Sequence, residues 1–181
     1  MESLPAASPY CLDHAEATNA EVQIFCKKNP HSIVAKSRAC QPPPTGMNNA
    51  SQPAVGFNWK SAQAYCRALG KRLPTNAEWE KGAEGPQGYP FGTHDGEISK
   101  SRAHYDAQTT ALVCSYPPNG YELCDMSGNV YEWTAEKVLR GGAWVSSSGD
   151  KLKVDLKTPE DPKKESVSTG VRCAISLPVK K

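Results

Sequence analysis

The stretch from Leu123 to Val145 constrains the fold of this chain more than any other part of the sequence. Its centre places two carboxylates, Asp125 and Glu132, seven residues apart with Gly128 and Asn129 between them. A tight turn there would direct both carboxylates and the intervening backbone carbonyls toward one point. Calcium takes about 6–8 oxygen ligands and accepts carbonyls beside carboxylates. The stretch therefore predicts a loop that holds a hard cation, with a spacing unlike that of an EF-hand.

A second constraint follows a few residues later, where Gly141 and Gly142 precede Trp144. Glycine adopts backbone conformations and permits close approaches that other residues resist. We expect the backbone here to pass close to another part of the fold and then to continue into a strand.

Length and composition indicate one loop-rich domain spanning residues 1–181, with residues 1–10 as a tail. The chain is long enough for one well-buried core, but a second full domain would be cramped. Its 14 glycines and 15 prolines are typical of a fold with many turns. The net charge of +2 gives no global field that would select nucleic acid or an anionic membrane. No apolar run reaches the roughly 18 residues that a bilayer-spanning helix needs.

Seven cysteines are spread along the chain without any Cys-x-x-Cys pair; they are Cys11, Cys26, Cys40, Cys66, Cys114, Cys124 and Cys173. Zinc ribbons and redox dithiols use such close pairs, so disulfides are the better interpretation. The first residues lack the basic region and apolar core of a secretory signal. We expect an exported protein, whether periplasmic, cell-surface or secreted, with Met1 as a cloning start and the signal peptide absent. The odd count leaves at least one thiol without an intramolecular partner.

Helix signals recur at three places. A capping box at Thr18–Glu21 predicts a helix over residues 19–28. Apolar residues at helical spacing predict a second helix from about Trp59, with Gly70 as its C-terminal stop. Another capping box at Thr75–Glu78 opens a short third helix.

Alternating apolar residues predict strands over 112–116, 152–156 and 170–177. A turn after the first of these strands would form a hairpin that brings Cys114 and Cys124 together. A long loop over 29–57 contains Cys40, and a bridge to Cys26 would attach that loop to the first helix. The pairing of Cys11, Cys26 and Cys40 stays open at this point.

A family is recognisable from motifs that occur in order along nearly the whole chain. They are Glu16–Asn19, Trp59–Cys66, Gly70–Glu80, Tyr116–Asn119, Asp125–Trp133, Arg140–Trp144 and Gly170–Cys173. Together they resemble the formylglycine-generating enzyme (sulfatase-modifying factor) family. The resemblance implies an α+β variant of the C-type-lectin fold, with little regular structure and two main helices around a twisted antiparallel sheet.

The resemblance also implies a structural calcium ion at the central loop. Its ligands would be the side chains of Asp125 and Glu132 and the carbonyls of Gly128 and Val130, in agreement with the oxygen-rich turn inferred above. The alternative is a turn held without an ion by hydrogen bonds from Asp125 and Asn129.

A disulfide between Cys66 and Cys173 is implied by the same resemblance. Closing a loop of about 100 residues is worth about 4–5 kcal/mol in the chain-entropy model. Cys114 and Cys124 stand where the family pattern has a glycine and an aromatic residue, which suggests an additional bridge. Cys11 is then the odd thiol.

The catalytic chemistry of the family does not carry over. Its enzymes oxidise a substrate cysteine with copper held by two thiolates just after the Gly-Gly-x-Trp strand. The matching positions here are close to Ser146 and Lys151, and residues 145–156 contain no cysteine. Cuprous ion selects soft thiolate ligands. We therefore expect no copper and no oxidase activity by that mechanism.

Two hypotheses about function remain. The first is a non-catalytic binding or scaffolding module of an exported or envelope assembly. In it, a face near Trp144, Ser146 and Lys151 recognises a protein, peptide or glycan ligand, and calcium and disulfides stiffen the frame. The second is an oxidoreductase of the formylglycine-generating type that uses a different metal or residue set. Formation of aldehyde on a cysteine-containing peptide would distinguish them.

Overall fold

The computed structural model describes residues 9–178 and contains the three predicted helices. They are α1 (Asn19–Lys28), α2 (Trp59–Ala68) and α3 (Asn76–Glu84). Complete capping boxes at Thr18 and Thr75 begin α1 and α3, and the Asn58 side chain accepts a hydrogen bond from the Ser61 backbone to begin α2. These caps satisfy backbone N–H groups that have no partner within the helix. The helix predictions are confirmed.

Short strands form two small sheets. They are β1 (Tyr10–Leu12), β2 (Tyr131–Trp133), β3 (Val138–Arg140), β4 (Thr158–Pro159), β5 (Thr169–Gly170) and β6 (Ala174–Ser176). One sheet pairs β1 with β6, and the other has the order β4-β3-β2-β5. The predicted α+β architecture with little regular structure is confirmed, but the larger sheet is mixed because β2 and β5 run parallel.

The main core lies between α1, α2 and the larger sheet. It contains Phe25, Phe57, Tyr65 and Trp133, whose side chains are all buried. Trp133 donates a hydrogen bond from Nε1 to the Phe57 carbonyl at 2.9 Å, so the indole polar group is satisfied inside the core.

A second buried cluster joins α3 to the central loop and supports the candidate site. Trp79, Ala83, Leu123, Met126 and Val154 form it. The central loop is therefore anchored on both sides by apolar packing.

Three disulfides cross-link the fold. Cys66 and Cys173 connect α2 to the segment before β6, with a Cα–Cα distance of 5.6 Å. The other two bridges are Cys26–Cys40 and Cys114–Cys124. Cys11 is an exposed free thiol on β1. The predicted Cys66–Cys173 and Cys114–Cys124 bridges are confirmed, and the pairing left open above is Cys26–Cys40, with Cys11 as the odd thiol.

The prediction of a strand over 112–116 is wrong. Cys114 has a φ of 57°, a left-handed conformation that an extended strand cannot contain. The Ser115 hydroxyl donates to the Leu112 carbonyl at 2.7 Å, which closes a local turn. The disulfide to Cys124 forms without the expected hairpin.

The prediction of a strand over 152–156 is also wrong. Leu152 ends a 3₁₀ helix that begins at Gly149, and the segment has one isolated bridge, between Lys153 and Phe91. Leu152 and Val154 are buried, as the alternating pattern requires, but Leu156 is 40% exposed. The alternation arises from two separate buried anchors rather than from a sheet ladder.

The predicted tail over 1–10 lies largely outside the described residues, and Tyr10 already belongs to β1. Within residues 9–178, none of the helices has the length and apolar character needed to cross a membrane.

Candidate functional site

A buried ion pair lies beside the central loop. Glu132 on β2 and Arg172 are 1% and 0% exposed. Arg172 donates from Nη2 to Glu132 Oε1 at 2.9 Å and from Nε to Oε2 at 3.0 Å, and Trp79 Nε1 donates to Oε2 at 2.6 Å. Both oxygens of this predicted calcium ligand are thus already hydrogen-bonded.

Two further carboxylates approach the same place. Glu16 is 2% exposed; its Oε1 accepts from Asn129 Nδ2 at 3.1 Å, while its Oε2 has no hydrogen-bond partner within the described part of the chain. Asp125 is half-buried, and its Oδ2 accepts from the Cys114 backbone at 2.7 Å. Sequence reasoning missed Glu16, although it begins one of the motifs that carry the family resemblance.

The electrostatics of this carboxylate cluster, which we define as Glu16, Asp125 and Glu132, disfavour full ionisation. Burial raises the pKa of Asp125 to about 6. Burial, and next the nearby charge of Asp125, raise the pKa of Glu16 well above its usual range. Within residues 9–178, Glu132 pairs with Arg172, whereas Glu16 and Asp125 form no salt bridge. A proton or a bound cation would relieve the excess negative charge.

The residues present fit an oxygen-preferring cation. Outside the strand ladders, no described donor reaches the carbonyl of Gly128 or Val130. Asn129, whose side chain binds Glu16, lies between Gly128 and Val130, and the charge of Asp125 acts on Glu16. Carboxylates and backbone carbonyls are the donors that calcium prefers. Glu132 departs from the expectation, since Arg172 and Trp79 hold its oxygens.

The hydrogen bonds required by the ion-free interpretation are also present. Asn129 Oδ1 accepts from the Ala111 backbone at 3.0 Å, and Asp125 accepts from Cys114. Calcium at this loop therefore stays a prediction.

The central loop and the glycine pair contact each other directly. The Gly128 backbone donates to the Gly141 carbonyl at 2.8 Å. Gly142 has a φ of 73°, and a Cβ added there would lie 2.9 Å from the Lys151 carbonyl. The predicted close approach is confirmed, but the chain continues from Trp144 into a turn and not into the expected strand.

The predicted recognition face is only partly at the surface. Lys151 is exposed and Val145 is 47% exposed, whereas Trp144 is half-buried and donates from Nε1 to the Val167 carbonyl at 3.4 Å. Ser146 is 3% exposed, which corrects its expected place on this face. Its Oγ accepts from the Ala143 backbone at 3.0 Å because the chain turns there, so Ser146 stabilises the turn.

Comparisons with known proteins agree with this fold. The chain is 39% identical over 156 residues to the serine/threonine-protein kinase pkn1 of Chlamydia pneumoniae, covering 71% of this chain and 25% of the kinase. It is 35% identical over 149 residues to the inactive C-alpha-formylglycine-generating enzyme 2 of Bos taurus, covering 67% of this chain and 50% of that protein. The chain thus spans a quarter to a half of the length of these curated relatives.

The solved structure of PvdO from Pseudomonas aeruginosa superposes with a TM-score of 0.78 at 23% identity, covering 93% of this chain and 81% of PvdO. This likeness shows the variant C-type-lectin architecture shared by such domains. The sequence model of one protein family, the sulfatase-modifying factor enzyme 1-like domain, matches residues 4–177 of the chain. The chain therefore belongs to the family of sulfatase-modifying factor enzyme 1-like domains.

Proposed function

We propose that this domain is a non-catalytic binding or scaffolding module of an exported or envelope assembly. The observation that carries the proposal is the cysteine-free segment over 145–156, where the family's oxidases place their copper thiolates. Ser146 is buried in a turn, and Lys151 offers an ammonium group rather than a thiolate. A cuprous ion would find no soft ligand in this segment.

The relatives and the cysteine usage support the proposal. One relative is named an inactive formylglycine-generating enzyme, and another is a kinase in which the matched region is a quarter of the length. Both fit a domain that serves a larger protein without oxidase chemistry of its own. Three disulfides favour an oxidising compartment and hence an exported location.

The recognition face is defined as Trp144, Val145, Lys151 and Val167. Val145 and Val167 are 47% and 38% exposed, and the hydrogen bond from Trp144 to the Val167 backbone joins the two segments. Lys151 is exposed, and its backbone carbonyl lies against Gly142, two residues before Trp144. Such a face suits a peptide, protein or glycan that presents an apolar or ring surface next to an anionic or hydroxyl group.

We expect Val145→Asp to weaken binding to peptide and glycan arrays by about tenfold or more, since about 1.4 kcal/mol of lost contact suffices for that change. Ile175→Asp is the matched control, because Ile175 is 41% exposed on β6 and lies outside the recognition face. Binding that is indifferent to Val145→Asp, or equally sensitive to Ile175→Asp, would contradict the assignment of this face.

The same purified chain can be used to distinguish the binding-module hypothesis from the enzyme hypothesis. The chain is incubated with copper and a cysteine-containing sulfatase-type peptide, and the peptide is analysed by mass spectrometry. We expect the cysteine to persist. Its conversion to an aldehyde would overturn the non-catalytic proposal.

We further propose that the carboxylate cluster binds a structural calcium ion. Asp125 and Glu16 would supply carboxylate oxygens, and Gly128 and Val130 would supply carbonyls. Glu132, held by Arg172, would orient the loop and contribute negative charge. The ion would stiffen the frame behind the recognition face, since the Asn129 carbonyl of the same loop accepts from the Trp144 backbone at 2.8 Å.

The ion-free chain is expected to lose stability as pH rises. Because the folded-state pKa of Asp125 is raised to about 6, its stabilising contribution is complete below the unfolded pKa of about 4 and is lost as pH rises through about 6. In EDTA, Asp125→Asn should therefore be more stable than the native chain at pH 8 and similar to it at pH 4. Thermal unfolding at both pH values measures the difference.

Calcium should reverse that order at pH 8 by raising the melting temperature of the native chain much more than that of Asp125→Asn. Glu16, Glu132, Arg172 and His104 also act on Asp125. The effect of the Asp125 carboxyl is therefore isolated by comparing the native chain with Asp125→Asn, rather than by one pH curve. Equal responses of both proteins to calcium would reject the site.

A further inference from the structure

A histidine and two cysteines from separate segments meet beside the central loop. His14 Nε2 lies 3.3 Å from the Sγ of Cys114 and 3.3 Å from the Sγ of Cys124. All three donor atoms lie within 4.8 Å of one another. His14 is exposed and Cys124 is 1% exposed, so the cluster reaches from the protein interior to solvent.

We propose that these three residues form a redox-controlled zinc site, closed as a disulfide and open as a dithiol. In the disulfide form the sulfurs are neutral and bonded to each other, so they are poor ligands. A dithiol reductant would supply two electrons and two protons, breaking the S–S bond to give two thiols and an oxidised reductant. Zinc binding then releases those two protons and leaves a two-thiolate, one-imidazole complex.

The geometry suits a tetrahedral zinc ion. With Zn–S near 2.3 Å and Zn–N near 2.0–2.1 Å, neighbouring ligand atoms are about 3.5–3.8 Å apart. The two distances from His14 to the sulfurs are already close to this value. The two sulfurs, which are bonded to each other in the disulfide, must move apart to reach that spacing. Exposure of His14 leaves room for water as the fourth ligand, an arrangement found in sites with an open coordination position.

Backbone contacts hold the three residues independently of the disulfide. The Cys124 backbone donates to the His14 carbonyl at 2.9 Å, and the Cys114 backbone donates to Asp125 at 2.7 Å. Arg172 also donates to the Cys124 carbonyl, at 2.7 Å. Because these bonds do not involve sulfur, reduction leaves the ligands near one another. A site whose ligands are already in place loses less conformational entropy on binding.

The Cys26–Cys40 bridge provides an internal comparison. It is also a short-range disulfide, but within residues 9–178 it has no histidine or carboxylate grouped with it as a possible ligand set. Reduction there should give two thiols without a zinc site. The proposal is independent of the non-catalytic function proposed above.

The test uses the full chain with Cys11→Ser, which removes the free thiol from every sample. The protein is treated with a phosphine reductant under native conditions, and alkylation with mass spectrometry identifies the reduced cysteines. Zinc is then titrated against a chromophoric chelator. We expect one zinc per chain after reduction and none before it. With cobalt(II) as the probe, a thiolate-to-metal charge-transfer band should appear in the near ultraviolet.

Variants assign the ligands. His14→Ala should lower zinc affinity by at least about 100-fold. Replacing a residue that only hydrogen-bonds to a metal ligand already costs about 10–100-fold, and His14 would be a ligand itself. Cys114→Ser with Cys124→Ser should abolish the cobalt charge-transfer band, while Cys26→Ser with Cys40→Ser should keep it. His14 is exposed, so its variant should retain the native circular dichroism.

Three results would overturn the proposal. They are unchanged affinity in His14→Ala, loss of the band in the Cys26/Cys40 variant, and a Cys114–Cys124 bond that resists reduction until the protein unfolds.

Discussion

Replacing both Cys66 and Cys173 with alanine is expected to lower the free energy of unfolding by about 4–5 kcal/mol. The bridge spans 107 residues, and the entropy that a cross-link removes from the unfolded chain grows with the logarithm of loop length. It also joins α2 to the segment before β6 through the interior, since the two cysteines are 0% and 1% exposed. Chemical denaturation without reductant, compared with the native chain, measures the loss.

The matched control is replacement of Cys26 and Cys40 with alanine. That bridge spans 14 residues, for which the same model gives about 3 kcal/mol. The ranking of the two double variants is therefore the decisive result. A larger loss in the Cys26/Cys40 variant would mean that local strain or packing, rather than loop entropy, governs these bridges.

The Arg172→Met variant is expected to lose about 3–5 kcal/mol, because it leaves the carboxylate cluster without its guanidinium. Arg172 contacts Glu132 with two nitrogens and also donates to the Asp13 and Cys124 carbonyls. Methionine is long and flexible enough to fill part of the vacated space, so the loss reports charge more than volume.

The low-pH behaviour of this variant separates charge from packing. Protonation of Glu16 and Asp125 at pH 4 removes much of the uncompensated negative charge, so the deficit of Arg172→Met should shrink relative to pH 8. Lys71→Met is the control: its pair with Asp13 is about a third exposed and should contribute about 0–1 kcal/mol. A deficit of Arg172→Met that stays constant with pH would point to lost packing instead.

The helices could be predicted from the sequence because their signals are local. Thr18 with Glu21, and Thr75 with Glu78, each satisfy the capping box within three residues, and the structure begins α1 and α3 there. Gly70 follows the end of α2 with a φ of 73°, as a C-terminal stop requires.

The strands could not be predicted in the same way, because two-residue alternation shows which side chains are buried but not what the backbone pairs with. Leu152 and Val154 are buried as the pattern indicates, yet the Val154 backbone donates to the Pro90 carbonyl in a loop rather than to a neighbouring strand. Ser146 was misplaced for a related reason. Nothing in its local sequence shows that its hydroxyl closes a turn on the Ala143 backbone.

In the candidate site, too, only the residues that are close in sequence could be predicted. Asp125 and Glu132 are close in sequence and define the central loop. Their partners are remote: Arg172 is 40 residues from Glu132, and Glu16 is 113 residues from the Asn129 side chain that binds it. His14 meets Cys114 across 100 residues. Such contacts depend on the whole chain path, so no single stretch of sequence contains them.

The pairing of the first and last strands has a consequence for protein architecture. Tyr10 lies opposite Ser176, and Leu12 lies opposite Ala174, so the polypeptide enters and leaves the fold at adjacent points. A unit with such neighbouring entry and exit can be spliced into a surface loop of a host protein without stretching the host. The same neighbouring positions would also permit circular permutation, in which these two ends are joined and new termini are opened in another loop.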